Sequence, residues 1–278
     1  MLNYDAMEKR FVVLIDFSEY SADLLRYAYD WSTKAEARLL LVHQTVVVAP
    51  AMADTATLVA LAEVTNQEAL TKLERFAREI LPGEAKVDFM ATDQPVDKMM
   101  ERIREDPSDF LVLMGVKGTG KLKQIFLGSF VIEVIDQADA IVVAMPRNVT
   151  RFVSEKFYVA IHSGDRLNTK ALDILLNFSQ GHVRALTFFS MAETKIGLPD
   201  VEQYLAELVK QYSDRVNADY KVYHGENAYD SIRKVINNQT TELLVIQRRS
   251  MSLTNQPLRK FIINELVYEG QTPLVVLP

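Results

Sequence analysis

The stretch LVLMGVKGTGKLKQIFLGSF, residues 111–130, carries four of the ten glycines in a chain of 278 residues, and two phosphate loops can be fitted to it. One fit takes Gly115, Gly120 and Lys121 as G-x-x-x-x-G-K-[ST], but Leu122 stands where a magnesium-binding Ser or Thr belongs. The other takes Gly115, Gly118, Gly128 and Ser129 as G-x2-G-x9-G-[ST] and leaves no position unmatched. The surroundings of the loop decide between them.

Upstream and downstream, short apolar runs rich in β-branched residues alternate with amphipathic stretches. The runs are FVVLID (11–16), ARLLLVHQ (37–44), AKVDFMA (85–91), FLVLMG (110–115) and AIVVAMP (140–146). Continuous apolarity without alternation suits strands covered on both faces. Between them Leu24, Tyr27, Ala28 and Trp31, and again Ala69, Leu73, Phe76 and Ile80, have helical spacing, which makes Trp31 a core residue. Alternating strands and helices imply a parallel sheet with right-handed crossovers.

The pattern then restarts with FYVAIH (157–162), VRALTFFS (183–190), DYKVYHG (219–225), LLVIQ (243–247) and PLVVLP (273–278). Val201, Tyr204, Leu205, Leu208 and Val209 mark a helix between the second and third of these. Sliding 111–146 onto 243–278 needs no gap, and it lays Glu133 over Glu265 and Pro146 over Pro278. We read a tandem duplication of one five-stranded α/β unit, with domains at 1–146 and 147–278 and a boundary in RNVTRFVSEK (147–156).

Composition narrows the function classes. An apolar content of 49 % supports a sizeable core in each unit. The chain has no cysteine, which excludes disulfides, thiolate catalysis and Cys-based zinc sites and accords with a reducing cytoplasm. No basic start precedes an apolar run, and no stretch of about 18 uncharged apolar residues occurs, so neither secretion nor membrane insertion is expected. A net charge of −6 with acids and bases intermixed offers nucleic acid no extended basic surface. The four histidines lie far apart without an i, i+4 ligand pair, and no Ser/His/Asp or paired-carboxylate arrangement stands out.

Five strands per unit, the G-x2-G-x9-G-[ST] loop after the fourth, an Asp at the end of the first, and two units in tandem together resemble the universal stress protein family. VVLIDFSEYSADLLRYA (12–28) looks like the family's opening strand and helix. The resemblance implies two Rossmann-like domains, each an open five-stranded parallel sheet of order 3-2-1-4-5 flanked by helices. It implies ATP, accompanied by Mg²⁺, as ligand. The candidate binding residues are Asp16, Val42, Met114, Gly115, Gly118, Gly128, Ser129 and Phe130, to which we add Lys121 on grounds of charge and not of the motif. By the same resemblance Asp16 accepts a hydrogen bond from adenine, backbone near Val42 lines that pocket, and Ser129 bonds phosphate. Related domains pair through their last strands, which implies that 140–146 and 273–278 meet as an internal pseudo-dimer, with further homo-oligomers open.

The residues give this site a physical sense. Ligands of open α/β sheets bind where strand order reverses, here between the first and fourth strands. Gly115 and Gly118 admit a close ligand, and Gly128 and Ser129 open a helix whose free N–H groups favour an anion. Lys117, Lys121 and Lys123 in the intervening arm can neutralise phosphate or simply face water. Asp16 can equally cap the next helix, as can Ser18 or Ser21. Residues 50–54 are a candidate flap.

The loop G-x-x-x-x-G-K-[ST] fails on Leu122, on the lack of a second acidic strand for the metal, and on its place after a fourth strand. In the second unit Gln247, Ser250, Lys260 and Phe261 replace Gly115, Gly118, Gly128 and Ser129, and His162 replaces Asp16. Nucleotide binding is therefore expected in residues 1–146 only. A binding and signalling module, without a catalytic residue, is the favoured expectation. A slow ATPase or nucleotidyl-transfer enzyme and a scaffold recruiting a partner protein are the alternatives.

Overall fold

The computed structural model describes residues 7–115, 129–147, 149–161, 165–192, 198–224, 241–248 and 272–278. The side chains of residues 129, 131, 132, 191, 192, 198 and 224 are outside that description. Along the first half run β1 (Lys9–Leu14), α1 (Ser21–Ala35), β2 (Arg38–Gln44), α2 (Thr55–Ile80), β3 (Val87–Thr92), α3 (Val96–Arg104), β4 (Asp109–Gly115), α4 (Ser129–Gln137) and β5 (Ile141–Met145). The second half contributes β6 (Lys156–Ala160), α5 (Thr169–Ser179), β7 (Ala185–Ala192), α6 (Leu198–Tyr212), β8 (Asn217–His224), β9 (Glu242–Gln247) and β10 (Leu274–Leu277).

The strands form one sheet of order β3-β2-β1-β4-β5-β10-β9-β6-β7-β8. The first five strands thus stand in the order 3-2-1-4-5, and the second five repeat it in the opposite direction. All neighbours pair parallel except β5 and β10, which pair antiparallel with Val143 opposite Val275. These two valines are counterparts when 111–146 is laid on 243–278, so the junction is symmetric about them.

Apolar runs without alternation are explained by the two layers around the sheet. On one face Phe11, Val13, Leu39, Leu41, Leu111 and Leu113 pack beneath α1 and α2, joined by Phe157, Leu186 and Phe188 under α5 and α6. On the other, Val12, Leu14, Val42, Val112 and Met114 meet Met99, Met100 and Ile103 of α3 and Val134 and Ile135 of α4. Arg10, 8 % exposed, anchors α3 by donating to Ile103 O at 2.6 Å and pairing with Asp106 at 2.8 Å.

The segment joining the halves is pinned to α1. Phe152 stacks on Trp31 with centroids 4.2 Å apart and planes 3° from parallel. Its N–H donates to Asp30 at 2.8 Å and its carbonyl accepts from Lys34, which also pairs with Asp30. Trp31 is fully buried and donates its indole N–H to Phe178 O of α5 at 3.0 Å, while Phe11 packs edge-on to Phe178.

Strand ends differ from the sequence reading by one or two residues. β1 stops at Leu14, so Asp16 lies beyond it in the loop, although the Ile15 N–H still donates to Val42 O at 2.9 Å. β5 stops at Met145, before Pro146, which has no N–H for the ladder. The candidate flap at 50–54 is uncovered among the described residues, with Met52 95 % exposed. Asp54 caps α2 by accepting from the Thr57 N–H at 2.8 Å.

Trp31 is the chain's single tryptophan, so it reports its own environment. Its emission is expected to be blue-shifted in the native protein and to move red on unfolding. Removing its ring from a site shared by both halves is expected to cost about 3–5 kcal/mol in Trp31→Ala. Urea unfolding followed by circular dichroism measures that loss.

Candidate functional site

The sheet reverses its order at β1, which has β2 on one side and β4 on the other. Pairing of Leu14 with Met114 brings the carboxyl ends of β1 and β4 level, and this is where open α/β sheets receive ligands. Met114 and Val42 are both buried near the ends of their strands, so their side chains belong to the core.

Asp16 is exposed above β1. Its Oδ1 accepts from the Ser18 N–H at 2.9 Å and from the Ser21 hydroxyl at 2.8 Å, which folds the loop back toward α1. The N-cap position of α1 itself is Tyr20, which makes no side-chain capping bond. Organising the loop and meeting a ligand are compatible roles, because a carboxylate offers about four lone-pair sites. Asp16 therefore does serve the helix start, through the loop and not as the cap residue.

The loop contains a bulky residue in the left-handed region: Phe17 has φ 56°. That conformation costs an L-residue roughly 1–2 kcal/mol. Packing offsets it, since the ring lies 4.7 Å from His43 and 5.8 Å from Phe76, with Lys72 Nζ 3.8 Å above its centroid. His43 Nδ1 lies 2.6 Å from Ile15 O. A carbonyl can only accept, so the proton sits on Nδ1. Nothing in the sequence pattern marks this cluster, because its members come from the loop after β1, from β2 and from α2 and meet only when the sheet is assembled.

At the end of β4, Gly115 pairs with Met145 and is half-exposed. A Cβ built there meets no atom of the described residues within 4 Å, and its φ is not in the left-handed region. Neither its backbone conformation nor packing against the described residues requires glycine at this position. Phe130, in the first turn of α4, is half-buried against the core on that face. Gly118, Lys121 and Gly128, with Lys117 and Lys123, lie outside the described residues, as does the side chain of Ser129.

The second half offers a direct contrast. Its β6 and β9 pair as β1 and β4 do, and the Ile161 N–H donates to Phe189 O at 2.7 Å, as Ile15 does to Val42. Here, however, the end of β9 carries Gln247. Its Oε1 accepts from the Asn168 N–H at 2.7 Å and its Nε2 donates to Arg166 O at 3.1 Å. Asn168 in turn caps α5 and donates to Pro278 O. The side chain thus ties the β6–α5 loop to β9 across the place that Gly115 leaves open. His162, Ser250, Lys260 and Phe261 lie outside the described residues.

Among the described residues, the phenols with the largest upward pKa shifts belong to the core. Burial raises Tyr27, and burial together with the nearby Glu242 carboxylate pushes Tyr158 up to about 12. Among those residues, no group of three His, Cys, Asp or Glu side chains could hold a metal ion, and no helix is long and apolar enough to cross a membrane.

The comparisons with known proteins agree with this architecture. The model of the universal stress protein family matches residues 7–146. No curated protein matches the chain. Among solved structures, a universal stress protein from Archaeoglobus fulgidus DSM 4304 is similar, with a TM-score of 0.63 at 16 % identity over 96 % of this chain and 95 % of that one. A functionally unknown protein from Pseudomonas aeruginosa PAO1 gives 0.57 at 14 %, over 98 % and 92 %. The cytoplasmic domain of a prokaryotic cation chloride cotransporter gives 0.51 at 11 %, over 97 % and 95 %. Identities this low speak to the fold alone, while the family match covers half of the sequence directly. On that match, joined to the strand order and the loop after β4, the chain belongs to the universal stress protein family.

Proposed function

We propose that the chain binds ATP, accompanied by Mg²⁺, in the crevice between β1 and β4, and acts in the cytoplasm as a nucleotide-dependent stress-response or signalling module. The observation that carries this reading is the contrast at one position. A Cβ at Gly115 would meet no atom of the described residues within 4 Å, whereas its counterpart Gln247 makes two hydrogen bonds to the β6–α5 loop.

In this reading Asp16 accepts from the adenine while its Oδ1 also holds the loop. Backbone at Val42, Met114 and Gly115 lines the channel, and Gly118 and Gly128 allow the chain to come close. The N-terminus of α4 at Ser129 and Phe130 presents N–H groups and a favourable dipole to phosphate, with Lys121 in the preceding arm as counter-charge. Mg²⁺ would ride on phosphate oxygens and water, as this ion usually does. We read residues 147–278 as a degenerate copy of the same domain, a reading supported by the repeated strand order and by the shared Ile15 and Ile161 hydrogen bonds. Grip on phosphate does not by itself position a water, so binding is favoured over the slow ATPase or nucleotidyl-transfer alternative.

A second reading, recruitment of a partner protein, is favoured by one observation. Val46, Val48, Met52, Leu58, Val59 and Val64 are all exposed on the approach to α2 and along its first turns. Scattered apolar residues are normal on a surface, but a contiguous set marks contact sites. The two readings are compatible, since this arm rises from the same end of the sheet as the crevice.

Titration calorimetry on the full chain is expected to give one ATP per chain. Gly115→Gln, which installs the residue found at the second-half position, is expected to abolish that binding while leaving the melting temperature unchanged, because none of the described residues lies within 4 Å of an added Cβ. Unchanged affinity in this variant, or a second ATP in the unaltered chain, would rule the reading out. Conversely, Gln247→Gly removes two hydrogen bonds that hold a loop and should cost about 1–3 kcal/mol of stability by chemical denaturation.

A further inference from the structure

We propose that the amino ends of β1 and β4, where they meet α5 of the second half, form a second binding site for a small zwitterion with an apolar body, an apolar amino acid or a short apolar peptide. The starting observation is a cavity of about 480 Å³ that both halves line, with Lys9 and Asp109 on one side and Asn177, Phe178, Val183 and Arg215 on the other. That size falls within the range of about 300–1,000 Å³ usual for small-molecule sites, and such sites favour places where two structural units meet. From Lys9 to Leu14 the β1 strand rises roughly 16 Å. The cavity is therefore at the opposite end of these strands from the crevice at Leu14 and Met114, and the proposal does not depend on nucleotide there.

Two opposite charges stand in its wall without neutralising each other. Lys9 and Asp109 are partners in the pairing of β1 with β4, so their side chains leave the same face of the sheet, the one that carries Phe11 and Leu111. Lys9 nevertheless donates to two carbonyls, Ala35 O at the end of α1 at 3.3 Å and Asn177 O of α5 at 3.1 Å. The Asp109 N–H donates to Glu8 O, and among the described residues no hydrogen bond or ion pair uses the Asp109 carboxylate. Arg215 meets the same asparagine, donating to Asn177 Oδ1 at 3.4 Å while it pairs with Asp173 at 2.5 Å. Asn177 thus brings two cations to one corner. An ammonium has three N–H groups and a guanidinium five, so both keep donors for a further acceptor.

The chemistry that suits this wall carries both charges. A carboxylate between Lys9 and Arg215 gains charge-assisted hydrogen bonds, an ammonium gives Asp109 the partner that Lys9 does not, and an apolar body lies against Phe178 and Val183. A simple anion or cation would meet one pole and be repelled by the other. A purely structural role, in which Lys9 only closes the carboxyl ends of α1 and α5, accounts for its two bonds and predicts that no such ligand binds.

The test is calorimetry on the full chain with leucine, phenylalanine and the dipeptide phenylalanyl-leucine, whose relative affinities tell a free amino acid from a peptide as the source. At least one of them is expected to bind saturably. Its N-acetyl derivative, without the ammonium, and its amide, without the carboxylate, are each expected to bind about tenfold to a hundredfold more weakly, the scale of a charge-assisted contact. Asp109→Asn removes no bond of the described residues, so its melting temperature should stay unchanged. It is expected to weaken the zwitterion by the same factor and to leave the N-acetyl derivative unaffected. The absence of saturable binding by all three ligands, equal binding of the zwitterion and its N-acetyl derivative, or an unaltered affinity in Asp109→Asn overturns the proposal.

Discussion

The structure depends on how two strand edges are closed. A last strand at the rim of an open sheet exposes a row of unpaired N–H and C=O groups, which invites aggregation unless it is covered. Here β5 and β10 cover each other, antiparallel and centred on Val143 opposite Val275. That single pairing makes one sheet of ten strands and sets α1 beside α5. It also creates the site where Trp31 meets Phe152 and Phe178. The segment between the halves is consequently part of the core, with Phe152 only 1 % exposed.

Most of the fold was legible in the sequence because buried parallel strands leave an unmistakable record. FVVLID, FLVLMG and AIVVAMP have no polar alternation, since both faces of each are covered, and Trp31 showed its place through helical spacing. The ends were less legible. Whether a strand stops at Leu14 or Asp16 depends on a turn that Asp16 builds with Ser18 and Ser21, and such local hydrogen bonds leave no periodic trace. The exposed arm before α2 was equally hidden, because an apolar run reads the same whether or not anything covers it.

The candidate site left a record of another kind. Glycines and an Asp at fixed spacing mark a loop, and Gln247 in place of Gly115 marked the second half as different. The sequence could not show that Gln247 has become a tether for the β6–α5 loop, or that Phe17 sits in a left-handed turn under Lys72. Both depend on residues distant in the chain. The exchange also shows how one position can acquire a brace. Glycine has no side chain to make a contact, whereas glutamine supplies a donor and an acceptor to the β6–α5 loop.

Because β5 and β10 belong to the same chain, their association is insensitive to dilution. Two separate subunits joined by three residue pairs of strand would come apart as their concentration fell, but the ten-residue segment between β5 and β6 holds the two halves together at an effective concentration in roughly the millimolar range. The junction therefore persists in a cell holding few copies of the protein. Covalent linkage also frees the two ends of the molecule from identity. In an assembly of identical subunits every substitution appears twice, whereas here Gly115 and Gln247 can differ, and one end can carry a ligand while the other serves only to hold the architecture.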